Sequence, residues 1–430
     1  MKTSRYNYQI SYGEKVIFFN GLTEYFFEVP KGKQEIYNEL INNPNKYKDL
    51  FIDFIDRLYS KGFVIDDNTD EQKLLDEKFD RVQDIEEYRI MILPTYQCNL
   101  RCWYCTQDHS NLWMSQTTME EVKKFILHVS QQSEIKRIYL SWFGGEPLLG
   151  YDKILALTSY AKNLAEENSK QFLCDITTNG TLLNEERIVS LQKAGVTSYQ
   201  ITIDGDKATH NSIKKLAGGS AFDKALENIN IISSDTLCFL RFNYTHDNLS
   251  PESIISDITS RIDKTHRGNI RLLLYKVWQE SENAINKNDL EKLKKGSLEN
   301  GFHTILPSSN LCYADQKNFA CIFPDGKICK CDKEPIENKN GRIVNGDIEW
   351  SGDLKSHIPA FKNKQFPCRE CKYVPICWGP CAANRAKLYK SGRYGKCWYI
   401  NKDEEVRKMI INICHNKKSN SSSLKCPINI

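Results

Sequence analysis

From residue 86 onward the chain repeats one pattern, a short apolar run closed by a polar or glycine-containing turn and then a stretch with apolar residues at helical spacing. The apolar runs are "YRIMILPTY", "RIYLSWFGG", "QFLCDITTNG", "SYQITIDG", "LCFLRFNYT" and "IRLLLYKVW". Between them lie helical stretches such as "TMEEVKKFILHVSQQ" and "YDKILALTSYAKNLAEEN". This alternation predicts a parallel sheet with right-handed crossovers, open or curled into a barrel. Chemistry in that architecture sits at the C-terminal ends of the strands. Two motifs fall at such ends: Cys98, Cys102 and Cys105 after the first strand, and "GGEP" (residues 144–147) after the second.

Composition sharpens the expectation. The 430 residues carry 59 Lys and Arg against 55 Asp and Glu, a net charge of +4 that is too slight and too interleaved for a nucleic-acid footprint. No apolar run approaches about 18 residues, the length of a membrane span, and "MKTSRYNYQISYGEK" has no signal-peptide core. The cytoplasm is the expected compartment, where 16 cysteines point to metal binding rather than disulfides. One group is the triplet. A second is Cys312, Cys321, Cys329, Cys331, Cys368, Cys371, Cys377, Cys381 and Cys397. Outside both, Cys174 and Cys238 read as buried small hydrophobes, and Cys414 and Cys426 as tail thiols.

Ahead of the repeat, "YNYQISYGEKVIFFNGLTEYFFEVP" reads as three strands, followed by the helical "KQEIYNELIN" and "KYKDLFIDFIDRLYSKG" and a last strand "FVID". We therefore expect an independent α+β module over 1–70, a polar linker over 71–85, the α/β barrel over 86–300, a cysteine-rich domain over 301–400 and a mobile tail over 401–430.

Three cysteines spaced C-x3-C-x2-C can hold three corners of a cubane iron-sulfur cluster and leave the fourth iron for an exchangeable ligand. A structural zinc site would need a fourth ligand, for which His109 is the nearby candidate. With Tyr104 before the last cysteine, and Gly144, Gly145, Glu146 and Pro147 one strand later, the chain resembles the radical S-adenosylmethionine (SAM) superfamily. That resemblance implies a partial (β/α)6 barrel, a 4Fe-4S cluster on Cys98, Cys102 and Cys105, and a "GGEP" turn meeting the SAM ammonium. It also implies rim contacts from Thr178, Asn179, Thr202 and Asp204 to the ribose and carboxylate, and cleavage of SAM to methionine and a 5'-deoxyadenosyl radical.

The second cysteine group resembles the SPASM extension of that superfamily. "CRECKYVPICWGPC" supplies Cys368, Cys371, Cys377 and Cys381, "GKCWYI" supplies Cys397, and "PDGKICKC" places Gly326 five residues before Cys331. The resemblance implies two auxiliary 4Fe-4S clusters: Cys312, Cys331 and Cys381 with Cys321 on the first, and Cys368, Cys371, Cys377 and Cys397 on the second. Cys329 and Cys331 remain alternatives, the glycine spacing favouring Cys331.

The N-terminal module resembles the winged-helix element with which maturases of ribosomal peptides hold a precursor's leader, by pairing it to an edge strand. The function implied is a peptide maturase that makes a crosslink in a ribosomally synthesised precursor, drawing electrons from a flavodoxin or ferredoxin. The alternatives are a sulfatase-maturase-like enzyme forming formylglycine, with Asp204 as its catalytic base, and a metal scaffold without catalysis.

Overall fold

The structure is a computed structural model that describes residues 1–107, 109–233, 236–277, 279–280, 285–305, 311–333, 340–352, 354–399 and 401–420. Cys426 lies outside the described residues. No helix among them is long and apolar enough to cross a membrane. The chain divides into two compact units, one of Met1–Ile85, Ser308–Lys317 and Lys355–Ile430, the other of Glu86–Pro307 and Asn318–Leu354.

The second unit contains the expected parallel sheet. Its first six strands are β1 (Glu87–Ile92), β2 (Arg137–Trp142), β3 (Gln171–Thr178), β4 (Ser198–Ile203), β5 (Leu237–Tyr244) and β6 (Ile270–Lys276). They continue into β7 (His303–Ile305), β8 (Phe319–Ile322), β9 (Lys327–Cys329), β10 (Gly341–Val344) and β11 (Asp347–Trp350). The order is β7-β6-β5-β4-β3-β2-β1-β8-β9-β10-β11. Every pairing from β7 to β8 is parallel, and β9, β10 and β11 are added antiparallel.

Strand alternation decides which face is buried. Ile90, Ile92, Ile138, Leu140, Trp142, Cys174, Ile176, Ile201, Leu240, Phe242 and Leu272 share one core with the crossover helices. The intervening positions, among them Arg89, Tyr139, Asp175, Thr202, Arg241 and Asn243, project to the opposite face. A parallel sheet is ordinarily apolar on both faces. Polar residues on this one make it suitable for a polar ligand. Cys174 and Cys238 are buried in the core, as expected of small hydrophobes.

In the first unit, Asn7–Tyr12, Lys15–Asn20 and Phe26–Pro30 form a three-stranded antiparallel sheet with the middle strand central. The first hairpin turns at Gly13, whose φ of 59° suits glycine. Val16, Phe18, Phe27 and Val29 pack on Tyr37 and Leu40 of helix Gln34–Asn42 and on Phe54, Ile55 and Leu58 of helix Ile52–Ser60. The last expected strand, Val64–Ile65, pairs with Lys2–Thr3 instead of joining this sheet.

The domain boundaries differ from expectation in three places. First, the N-terminal module does not stand alone. Tyr8, Ile10, Ile17 and Phe19 on the sheet's other face are covered by Val406, Ile410, Ile413 and Cys414 of helix Lys402–Asn420. A continuous apolar run, "VIFF", marks a strand buried on both faces. Much of the expected tail is therefore a docked helix, and Cys414 is buried in it. Second, residues expected as a linker form the helix Glu71–Gln83. Asp70 caps it by accepting from the backbone N–H groups of Gln72 and Lys73, so the start of the expected linker is a helix start. Phe79 of this helix packs against Phe361 and Trp378. Its Lys78 donates to the Gly21 carbonyl at 2.6 Å and pairs with Glu24 at 2.9 Å. Third, the cysteine-rich stretch is split, because Asn318–Leu354 extends the parallel sheet of the second unit.

Ile410 is 1% exposed, so Ile410→Ala is expected to destabilise the first unit by roughly 2–5 kcal/mol, whereas Leu50→Ala at an exposed position is expected to stay within about 0.5 kcal/mol. Denaturant unfolding of the two variants checks this.

Candidate functional site

The segment after β1 returns on itself and is closed at its base. Tyr96 N–H donates to the Leu112 carbonyl at 3.1 Å, the Thr95 hydroxyl to the same carbonyl at 2.9 Å, and Thr95 bridges to Trp113. Cys98, Cys102 and Cys105 lie on this closed loop and line one cavity with Gly144, Gly145, Thr178, Asn179 and Thr202 from the ends of β2, β3 and β4. Among the described residues no three His, Cys, Asp or Glu side chains converge on a single ion. His109 Nε2 lies 3.2 Å from Cys105 Sγ, which makes it a hydrogen-bond partner of that cysteine.

The glycine motif is seated directly on the cysteine loop. A Cβ on Gly145 would lie 2.2 Å from the Gln97 carbonyl oxygen, and one on Gly144 would lie 2.6 Å from that of Thr95. Gly145 N–H donates to Thr95 O at 3.2 Å, and Glu146 N–H donates to Gln97 O at 2.8 Å. The two glycines are thus required by backbone approach between the two loops, a reason additional to the expected approach to a ligand.

Glu146 is fully buried. Its Oε1 accepts from Leu148 N–H at 3.0 Å and the Thr178 hydroxyl at 2.8 Å, and its Oε2 accepts from Asn179 N–H at 2.8 Å. Burial pushes the carboxyl up, opposed by these donors. Glu146 therefore ties the β2 turn to the β3 turn. Thr178 spends its hydroxyl on Glu146 and is 2% exposed, which removes it as a free rim hydroxyl. Asn179 donates through Nδ2 to Asn99 Oδ1 at 2.9 Å and lies 3.9 Å from Cys98 Sγ.

Asp204 is not placed to act as a base. It is fully buried, and its oxygens accept from the Tyr104 hydroxyl at 2.7 and 2.8 Å and from Asn243 Nδ2 at 3.2 Å. Lys214 Nζ lies 3.6 Å from its Oδ2 and also binds the Thr202 hydroxyl and, at 2.8 Å, the Thr202 carbonyl. This network positions Tyr104 and hence the last two cysteines. Burial pushes the Cys102 thiol up to about 11, against the nearby Lys214, so a thiolate there would call for a further positive partner such as a metal ion.

Lys214, Arg241 and Asn243 line the cavity and were not singled out from the sequence. Strand alternation could have found Arg241 and Asn243, two inward positions near the end of β5. Lys214 gives no such signal, since it reaches the site only because helix Lys207–Ile213 turns back toward β4.

In the first unit, Cys368, Cys371, Cys377 and Cys397 line one cavity of about 420 Å³. Gly379, at φ 84°, sits so close that a Cβ would lie 2.7 Å from Cys368 Sγ, and its N–H points at Cys377 Sγ at 3.4 Å. Burial raises the Cys368 thiol to about 12 and the Cys377 thiol to about 11. Soft thiols that line one cavity, with a backbone N–H aimed at sulfur, form a donor set that fits an iron-sulfur cluster. Cys312 and Cys381 also lie in this unit, while Cys321, Cys329 and Cys331 lie in the second. Cys321 and Cys329 are direct partners across the β8–β9 hairpin and fully buried, and Cys329 Sγ donates to the Cys331 carbonyl at 2.6 Å.

Residues 92–236 match the family described as the Radical SAM superfamily. The chain is 21% identical over 412 residues to the radical SAM cyclopropyl synthase TigE of Paramaledivibacter caminithermalis, covering 86% of this chain and 82% of that protein. It is 24% identical over 315 residues to the PqqA peptide cyclase of Granulibacter bethesdensis, covering 67% of this chain and 80% of that one. Among solved structures, anSMEcpe with bound AdoMet and the Kp18Cys peptide superposes with a TM-score of 0.56 at 17% identity, covering 77% of this chain and 99% of that chain.

Glu146→Ala would strand three buried donors at about 1–3 kcal/mol each, and Gly145→Ala would force the two loops apart. Both are expected to weaken SAM binding at least about ten-fold, measured by equilibrium dialysis on reconstituted protein.

Proposed function

We propose that this member of the radical SAM superfamily is a peptide maturase that modifies, by crosslinking, a ribosomally synthesised precursor peptide. The observation that carries the reading is the glycine turn laid on the three-cysteine loop at the C-terminal ends of a parallel sheet, beside a cavity with polar walls. Cys98, Cys102 and Cys105 would hold a 4Fe-4S cluster, and the turn at Gly144, Gly145 and Glu146 with Asn179, Thr202 and Lys214 would hold SAM. Cluster and SAM, when bound, supply one-electron cleavage of the sulfonium and hydrogen abstraction from the substrate. The protein's own part is positional. Glu146 fixes the turn, Asp204 fixes Tyr104, and the buried Lys214 offers an ammonium to a carboxylate.

Two further clusters belong to this proposal. One rests on Cys368, Cys371, Cys377 and Cys397; the ligands that the sequence pattern assigns to the other are Cys312, Cys321, Cys331 and Cys381. A reduced flavodoxin or ferredoxin would deliver the electrons, in the cytoplasm. Pairing of the precursor's leader with the N-terminal sheet is confined to the outer strands Asn7–Tyr12 and Phe26–Pro30, because helices cover both faces. The formylglycine reading rested on Asp204 as a base, and a fully buried, fully engaged carboxylate does not support it.

Anaerobically reconstituted protein is expected to bind about twelve irons, and replacing Cys98, Cys102 and Cys105 by alanine to leave about eight and abolish 5'-deoxyadenosine formation. Co-expression with short peptides encoded beside the gene is expected to give a product whose mass shift depends on those three cysteines. A colourless zinc protein overturns the proposal.

A further inference from the structure

The cavity at the strand ends has basic walls. Lys214, Arg241, Lys276 and Lys333 line it, and among the described residues no aspartate or glutamate does. A 4Fe-4S cluster on three thiolates is formally a monoanion and SAM a monocation, so their charges cancel. Lys214 is already held against Asp204 and Thr202, and the Lys276 ammonium donates to the Glu280 carbonyl at 2.9 Å.

Arg241 is prepared differently. Its Nε donates to Asn243 Oδ1 at 3.0 Å, and Asn243 is itself anchored on Asp204 at 3.2 Å. Its guanidinium carbon lies 4.3 Å from the centre of the Tyr275 ring. One edge and one face of the guanidinium are thereby engaged, which leaves its two terminal nitrogens for a ligand in the cavity that Arg241 lines. A fixed, planar pair of N–H donors matches a carboxylate in two parallel hydrogen bonds, and the ordering entropy has been met in advance.

We propose that Arg241 is a substrate-binding residue that receives an acidic side chain of the peptide beside the reacting position. The inference rests on the maturase reading and names the substrate class: a peptide whose modified segment carries Asp or Glu.

Two fluorescein-labelled decapeptides, alike except for glutamate or glutamine at alternate positions, test this by fluorescence anisotropy on the reconstituted full chain with SAM. A charged hydrogen bond predicts that the glutamate peptide binds at least about ten-fold tighter. Arg241→Gln is expected to bring the two peptides to within about three-fold, and Arg241→Lys, which keeps the charge but loses the two parallel hydrogen bonds, to retain an intermediate preference. Equal binding by the unaltered protein overturns the proposal, as does an undiminished preference in Arg241→Gln or an equal loss in both variants. Formation of 5'-deoxyadenosine by the unaltered protein is followed in parallel. SAM cleavage without glutamate preference sinks the acidic-substrate inference alone, while absence of SAM cleavage sinks the maturase reading beneath it.

Discussion

The geometry of the candidate active site depends on one buried carboxylate. Glu146 accepts from the backbone after it, from the Thr178 hydroxyl and from the Asn179 amide, and its own N–H is given to Gln97. A buried carboxylate is costly unless its lone pairs are met, and here they are met by three different donors. The same residue therefore joins the ends of β1, β2 and β3. Because Gly144 and Gly145 have no Cβ to hold the loops apart, the cysteine segment is set against the sheet by backbone contacts. Thiols carried on such a loop are preorganised before any iron arrives.

A second polar chain does for β4 and β5 what Glu146 does for β2 and β3. Tyr104 on the cysteine loop, Asp204 after β4, and Asn243 and Arg241 on β5 are linked in sequence by hydrogen bonds. Each link is satisfied, which is the condition under which a buried polar network rigidifies a site. It explains why these strands carry polar residues on one face, where packing alone would select Val, Ile and Leu. The strands are long enough to bury an apolar face under helices and to present a working face opposite.

How much of this was legible depends on the range of the interaction. Alternation of strand and helix yields the six parallel strands because each element carries its own periodicity, and the cysteine and glycine motifs fall at strand ends for the same local reason. Residues 71–83 read as linker because a charged helix start after an N-cap and a solvated polar stretch use the same residues, and only the buried Lys78 and Phe79 downstream distinguish them. Asp204 was assigned chemistry because its partners Tyr104 and Asn243 stand 100 residues before it and 39 after it. No window of sequence shows that its oxygens are already engaged. The "VIFF" run did carry the signal of a doubly buried strand, but not the identity of the helix that covers it.

The two thiol sites consequently differ in how they depend on the rest of the chain. Cys98, Cys102 and Cys105 sit on one loop, and the residues that fix it follow within a continuous run of strands. The site of Cys368, Cys371, Cys377 and Cys397 belongs to a unit assembled from both ends of the sequence. Asp76 of helix Glu71–Gln83 holds Arg369, the neighbour of Cys368, through two bonds of 2.8 and 3.0 Å. Phe79 packs on Trp378, the neighbour of Cys377. Where ligands are gathered by distant segments, the free energy of metal binding is also free energy of folding. On the proposed function, the N-terminal residues would help to form a metal site besides offering edge strands to a peptide. Removing them would then damage both roles together, so only changes confined to the strand edges would separate peptide recognition from cluster retention.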